Sequence, residues 1–535
     1  MSDILFCSFY TLLFSAIIMR SKWFSADSLS NKYFLGAFYL KLLFGVALWY
    51  IYTHIYHNRA TSDIFKYYDD AQMMFGKLHS SAKEYLIMLT GIGDSGKYYQ
   101  DFYHFMNSWG NGYGTSLYSN SHFIISMNAF FMLFSQGHYG VHVIFMCFIS
   151  FAGLTYVYKA FLPFLQEKSK MLFAAVFLFP SVILWSSGVL KEGFIWLGLG
   201  LSIYYFFKLI NNPLKKDLSL IAHILYLSIG FVILFESKAY VLICIFPCFI
   251  GLFLIKKIAF CKTRPLITFL SVLFFYLGSA ALPHLLFNSV DPLAMLSDKQ
   301  MDFNRSSRGG IYLAKINDSS SYAFISVADS VNIVPLNLWA DTLLHKKGIQ
   351  YLVTKPFWQI ELKSRHRAPY MLRKGTPYEL IEYTGRDTLH LTATDSTIYW
   401  VCIYVENANS KIYIDPIQSN LLSLLGHIPQ ALKIAMLLPY PWQVHSAMTA
   451  IYCAENVFVL LLIFISLFFL KRPVNMDLAL FCLLYSLLML ILIGLVTPIL
   501  GGIERYKSVV IPFMFILLLL ITDTDKILQR FKLKK

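Results

Sequence analysis

Lys215-Lys-Asp-Leu-Ser219-Leu-Ile-Ala-His-Ile-Leu-Tyr-Leu-Ser-Ile-Gly-Phe-Val-Ile-Leu-Phe-Glu236-Ser-Lys238-Ala-Tyr-Val-Leu-Ile-Cys-Ile-Phe-Pro-Cys-Phe-Ile-Gly-Leu-Phe-Leu-Ile255-Lys256-Lys257 holds two apolar runs that meet at a charged tip. Each run, 219–236 and 239–255, approaches the roughly 20 residues a helix needs to cross a bilayer. Lysine pairs close the outer ends, and the tip carries one acid and one base. A soluble core helix has no use for that length of uncharged sequence. The pattern predicts two membrane spans joined by a tight hairpin.

The same pattern recurs along the chain. Apolar runs at 4–20, 34–56, 139–160, 171–188, 193–210, 266–286, 448–470, 477–497 and 507–523 complete a set of eleven expected spans. Only 14% of the 535 residues are charged and 57% are apolar, against about 25% charged in soluble domains. The net charge of +15 does not indicate nucleic acid, because the bases sit in short clusters between apolar runs. Lys and Arg mark cytoplasmic connections. One set of connections, together with the C-terminal tail, holds twenty of them, including Arg20, Lys168, Lys216, Lys257 and Arg472; the opposite set holds Lys191, Lys238, Arg505 and Lys507. That asymmetry predicts an external N-terminus and a cytoplasmic C-terminus. The first run lacks a basic leader and a small-residue cleavage site, so it reads as a span and not a cleaved signal. Within this plan, 1–286 is an N-terminal membrane core, 287–447 an external insertion, and 448–535 the last spans with a basic tail.

Two long segments fall outside. The first, 57–138, contains an amphipathic stretch at 72–90 and an apolar stretch at 122–134. The latter is short for a span and reads as re-entrant or interfacial. The second, 287–447, alternates in β fashion at 310–316, 378–383, 398–405 and 411–414, and ends in an amphipathic helix over 420–438. The expected architecture is an all-α polytopic membrane protein of about 11 transmembrane helices with a small β-rich extracytoplasmic insertion. No HExxH, Walker or Ser-His-Asp pattern supports a soluble hydrolase or an NTPase.

Chemistry concentrates at the external face. Thr61-Ser-Asp-Ile-Phe-Lys-Tyr-Tyr-Asp-Asp-Ala71 places Asp63, Asp69 and Asp70 just past a span. As a helix capped by Thr61 or Ser62, it aligns Asp63, Tyr67 and Ala71 on one face. Lys66 and Asp70, four apart, are expected to pair with each other. Three short tips on the same side carry Lys191 with Glu192, Glu236 with Lys238, and Glu504-Arg505-Tyr506-Lys507. Ionisable groups at membrane depth are functional candidates, and arginine suits phosphate through its bidentate fork. Lys41, inside the second run, is expected to snorkel. The basic run Lys363-Ser-Arg-His-Arg367 reads as a solvated face.

Asp63-Ile-Phe-Lys-Tyr67-Tyr-Asp-Asp-Ala71 matches a D-x-x-x-Y-x-x-x-A arrangement in the first large external loop. Arg505-Tyr506 ahead of Pro512 is an Arg-Tyr before a proline in a late span. With Ser187-Gly-Val-Leu-Lys191-Glu192, these features resemble the GT-C superfamily of integral membrane glycosyltransferases of the bacterial envelope. The resemblance covers the membrane core and not the β-rich segment. It implies a bacterial inner-membrane enzyme that moves a sugar from a polyprenyl-phosphate donor to a glycan, lipid or protein acceptor outside. Asp63 would be the general base, or a ligand for a divalent metal (Mg or Mn). Asp69 and Asp70 are the secondary catalytic candidates. Tyr67, Lys191, Glu192, Lys238, Arg505 and Tyr506 would bind substrate. Three other readings remain: an O-antigen-type polymerase relying on Arg305, Arg308 and Arg365, a lipid or glycan transporter, and a non-catalytic assembly scaffold.

Overall fold

The computed structural model describes residues 2–26, 29–56, 62–92, 121–211, 218–286, 292–308 and 410–530, with 59, 102, 103, 106, 108 and 109. Short strand backbones between 310 and 405 are also described. The helices in order are α1 (Ser2–Arg20), α2 (Asn31–His54), α3 (Asp63–Leu78), α4 (Ala82–Thr90), α5 (His122–Ser135), α6 (Tyr139–Phe161), α7 (Ser169–Phe177) and α8 (Pro180–Trp185). They continue with α9 (Lys191–Asn211), α10 (Leu218–Lys257), α11 (Pro265–Leu286), α12 (Pro292–Arg308), α13 (Leu421–Leu437), α14 (Ala447–Phe468), α15 (Met476–Val496), α16 (Leu500–Lys507) and α17 (Ile511–Ile521).

Among the described residues, seven helices are long and apolar enough to cross a membrane: α1, α2, α6, α9, α10, α14 and α15. The protein is thus a mostly helical, multi-pass membrane protein. Apolar side chains such as Phe274, Phe275, Leu461 and Phe464 stay exposed on the bundle's outside, as a lipid-facing surface requires. α10 breaks at Lys238, whose backbone leaves the helical region (φ −155, ψ 90). Phe231 packs on Phe246 and Phe249, with ring centroids 6.5 and 5.9 Å apart. The two halves of α10 therefore run back along each other, forming the hairpin of the opening stretch.

Two expected spans take another form. Residues 171–188 divide into α7 and the short α8, parted at Leu178–Phe179, where Pro180 starts a new helix. Residues 507–523 do not start a long helix at Lys507. That residue ends α16, three non-helical residues follow, and Pro512 lies in the first turn of α17. Proline lacks the N–H that a continuing helix would use. Breaks at this depth are tolerated where protein covers the backbone, and Val182, Leu190, Ile503 and Val510 are all buried. The 72–90 stretch likewise divides, α3 ending at Leu78 and α4 starting at Ala82 with Ser81 accepting from the Glu84 N–H.

α9 is central. A Cβ added at Gly200 would lie 2.2 Å from the Gly153 carbonyl oxygen, so α6 and α9 touch backbone to backbone. Small residues permit that approach in membrane bundles. α10 packs against the other side of α9, where Gly198 meets Leu234. α5 is 14 residues long. His142 of α6 binds it at its middle and at its C-terminal end, its ring nitrogens lying 2.8 Å from Asn128 Oδ1 and 2.8 Å from Ser135 Oγ.

In the 310–405 region, Gly310–Lys315 pairs antiparallel with Tyr322–Ser326 and with Trp400–Val405. The expected strand at 411–414 does not join them. Ile412 N donates to Pro498 O at 2.8 Å and Leu500 N to Ser410 O at 2.9 Å, bridging this stretch to the start of α16. Gln300 of α12, buried, donates to Asp415 O (3.0 Å) and Leu495 O (2.7 Å) and accepts from Ile417 N (2.8 Å). Both flanks of the 310–405 region thus attach to the residues leading into α16.

Candidate functional site

Four chain segments bring their charges to one point. Asp63 stands in the first turn of α3, where the helix dipole favours a carboxylate. Ser62 holds the N-cap position with an extended backbone but makes no capping bond with its side chain. Glu192 stands in the first turn of α9, Lys238 at the break in α10, and Arg505 in the last turn of α16. Arg505 Nη1 donates to Asp63 Oδ2 at 2.6 Å. On the other edge of the fork, its Nε and Nη2 donate to Glu192 Oε1 (2.7 Å) and Oε2 (2.9 Å). Lys238 Nζ donates to Glu192 Oε1 at 2.9 Å and lies 3.8 Å from the centre of the Tyr506 ring.

The two carboxylates on Arg505 differ in access. Glu192's side chain is 1% exposed and Asp63's is 36% exposed. Glu192 is therefore an anchor that sets the guanidinium, while Asp63 fronts the accessible side. Lys191 Nζ donates to Ser121 Oγ at 3.2 Å and lies 5.4 Å from the centre of the buried Tyr67 ring. Lys66 Nζ is 3.7 Å from Asp63 Oδ1. Four basic side chains (Lys66, Lys191, Lys238 and Arg505) thus surround two carboxylates, so bases outnumber acids here. Enclosure by the bundle would raise the Asp63 carboxyl. The charges of Arg505, Lys66 and Lys191 and the Arg505 hydrogen bond outweigh it, and hold the group well below the usual carboxylate range. Burial pushes the Tyr506 phenol up to about 12.

Asp63, Tyr67, Lys191, Glu192, Lys238, Arg505 and Tyr506 all meet here. Asp69 and Asp70 bond elsewhere. Asp69 takes a paired grip from Arg59, and Asp70, buried, accepts from the Ser108 N–H at 2.7 Å. The expected Lys66–Asp70 pair is not the one formed; Lys66 turns back one turn to Asp63, nearer the helix start. A metal fits poorly. Among the described residues no group of three or more His, Cys, Asp or Glu could hold one, and the two carboxylates at hand are already bound to Arg505. The side chains of Arg305, Arg308 and Arg365 lie outside the described residues.

Sequence reasoning missed one support. Lys41 does not snorkel. It is buried and donates to Ser186 O (3.3 Å) and to the Ser186 hydroxyl, while Ser150 Oγ donates to the same carbonyl at 2.7 Å. These bonds satisfy the backbone break that leads into Lys191 and Glu192. A lysine at mid-span followed by a distant serine pair inside another apolar run was the available signal.

No family model, no curated protein and no solved structure matches the chain. Fold and site together define a class: a multi-pass membrane protein with a partly accessible cluster, richer in bases than in acids, at one end of its bundle.

Proposed function

We propose that this is a membrane glycosyltransferase of GT-C-like architecture, moving a sugar from a polyprenyl-phosphate donor to an acceptor on the extracytoplasmic side of a bacterial inner membrane. The reading rests on one observation: Arg505 is held by a buried Glu192 and faces a partly exposed Asp63. The excess of basic groups over acids suits a phosphate. Arg505 would exchange Asp63 for the donor's phosphate oxygens while Glu192 keeps its fork in place. Freed from the guanidinium, Asp63 recovers basicity and accepts the proton of the acceptor hydroxyl. The hydroxyl oxygen bonds to the anomeric carbon as the bond to the phosphate oxygen breaks. The electron pair leaves on the phosphate, stabilised by Arg505 and Lys191. A phosphate leaving group needs no acid, so one carboxylate base suffices. The β-paired region would present the acceptor.

Binding of a polyprenyl phosphate to the purified protein in nanodiscs tests this. Arg505→Lys keeps the charge but loses the fork, and the expected loss of affinity is about tenfold or more. Asp63→Asn removes the competitor for Arg505 and should bind the probe at least as tightly as the native protein. Weaker binding by Asp63→Asn would overturn the exchange.

A further inference from the structure

Glu504 precedes Arg505 by one residue but takes no part in the cluster above. It is fully buried; its Oε1 accepts from Lys507 Nζ at 2.6 Å, and its Oε2 has no hydrogen-bond partner among the described residues. Lys507 Nζ also donates to Asn456 Oδ1 at 2.9 Å. Glu455, one position earlier on α14, is buried too. Its Oε2 accepts the Ser181 N–H at 2.7 Å and its Oε1 the Ser181 hydroxyl. The Lys507 charge acts on both acids, and the Glu455 charge acts on Glu504. The remaining groups around Glu504 are the buried Tyr452 hydroxyl of α14, also without a partner, and Arg505 on the same short helix. α8 contributes Ser181, and α17 contributes apolar residues such as Ile511.

Two ionised acids would share one lysine and leave a net negative charge in a buried layer. An uncompensated buried charge is among the costliest features a membrane bundle can hold. One proton removes it, and the hydrogen bonds decide where it sits. Both oxygens of Glu455 receive donors and suit the anion. Oε2 of Glu504 receives none and suits the neutral acid. We infer that Glu504 is a proton-binding site, occupied in the resting protein, whose ionisation weakens the phosphate grip of Arg505 through α16. Burial pushes the Glu504 carboxyl up to about 7, with the Lys507 charge and hydrogen bond limiting the rise. Loss of the proton adds a negative charge one residue from the guanidinium, opposing an incoming phosphate. The coupling rests on the phosphate role of Arg505 given above; the occupancy of the proton does not.

Two measurements test the halves separately. Infrared spectra of the native protein should show a protonated carboxylic acid band at pH 6 that fades by pH 9. Glu504→Gln should lack the band at every pH, and Glu455→Gln, which removes the second acid, should move the titration of the band to lower pH. The absence of the band, or its survival in Glu504→Gln, would overturn the assignment; if Glu504→Gln does not fold, the native titration and its shift in Glu455→Gln still decide. For the coupling, polyprenyl phosphate binding is compared between native protein and Glu504→Gln, a ratio that cancels ionisation of the probe itself. The two should bind equally at pH 6, and Glu504→Gln about three- to tenfold tighter at pH 8.5. A ratio that stays flat while the band titrates would overturn the coupling alone. No binding by the native protein at any pH would overturn the phosphate role of Arg505, with the band still reporting on the proton.

Discussion

The two faces of α16 carry similar groups in opposite situations. On one face Arg505 meets Asp63 and Glu192, with the Asp63 side chain 36% exposed. On the other, Glu504 and Lys507 are 1% and 5% exposed and pair only within the bundle. The first face has bases in excess and a partly exposed carboxylate; the second has one acid in excess, and its carboxylates are buried. Burial of charge by itself therefore does not mark a ligand site. Imbalance with access points to an anionic ligand, and imbalance without access points to a proton.

The contrast can be broken at its strongest point first. Glu192→Ala leaves Arg505 and Lys238 buried without their shared carboxylate, and should cost about 3–5 kcal/mol of stability, read by thermal unfolding in detergent. A loss below about 1 kcal/mol, the range of exposed ion pairs, would show that Glu192 is not the anchor. Asp63→Asn touches the accessible side. Turnover of a polyprenyl-phosphate-linked sugar should fall about 10²- to 10⁴-fold, while stability changes by less than about 1 kcal/mol because solvent screens the pair. A large loss of stability with turnover retained would reverse the roles given to the two carboxylates.

The smallest expected effect concerns the buried face. The Glu504 carboxyl is raised to about 7 in the folded protein, so between its unfolded value and that point the folded state holds the extra proton. Stability should therefore decline as pH rises through this window, by about 2 kcal/mol from pH 5 to 8. Glu504→Gln should remove that share of the slope. An unchanged slope would place the titration elsewhere.

Much of this site could be read in advance because helical spacing and terminal position are local properties. Asp63 and Tyr67 share a face four residues apart, and the tips at Lys191, Lys238 and Arg505 are where apolar runs stop. Partners could not be read in the same way. Lys66 had three acids within one turn and takes the one at the helix start, with Asp69 bound to Arg59 and Asp70 to the Ser108 N–H instead. The stretch at 411–414 alternates like its neighbours but hydrogen-bonds to residues before α16. Alternation determines which side chains share a face and leaves the pairing strand open.

The amino-acid sequence by itself determined a multi-pass membrane protein, because long uncharged runs have one stable environment, and it determined that acids and bases gather at one set of tips. Only the tertiary structure decided that Arg505 grips Asp63 across 442 residues of chain and Glu192 across 313, while Glu504 beside it turns to a buried layer. Helix period orients side chains relative to their own axis. Which axes lie side by side depends on contacts such as Gly153 on Gly200, and those are settled by the packing of the whole bundle.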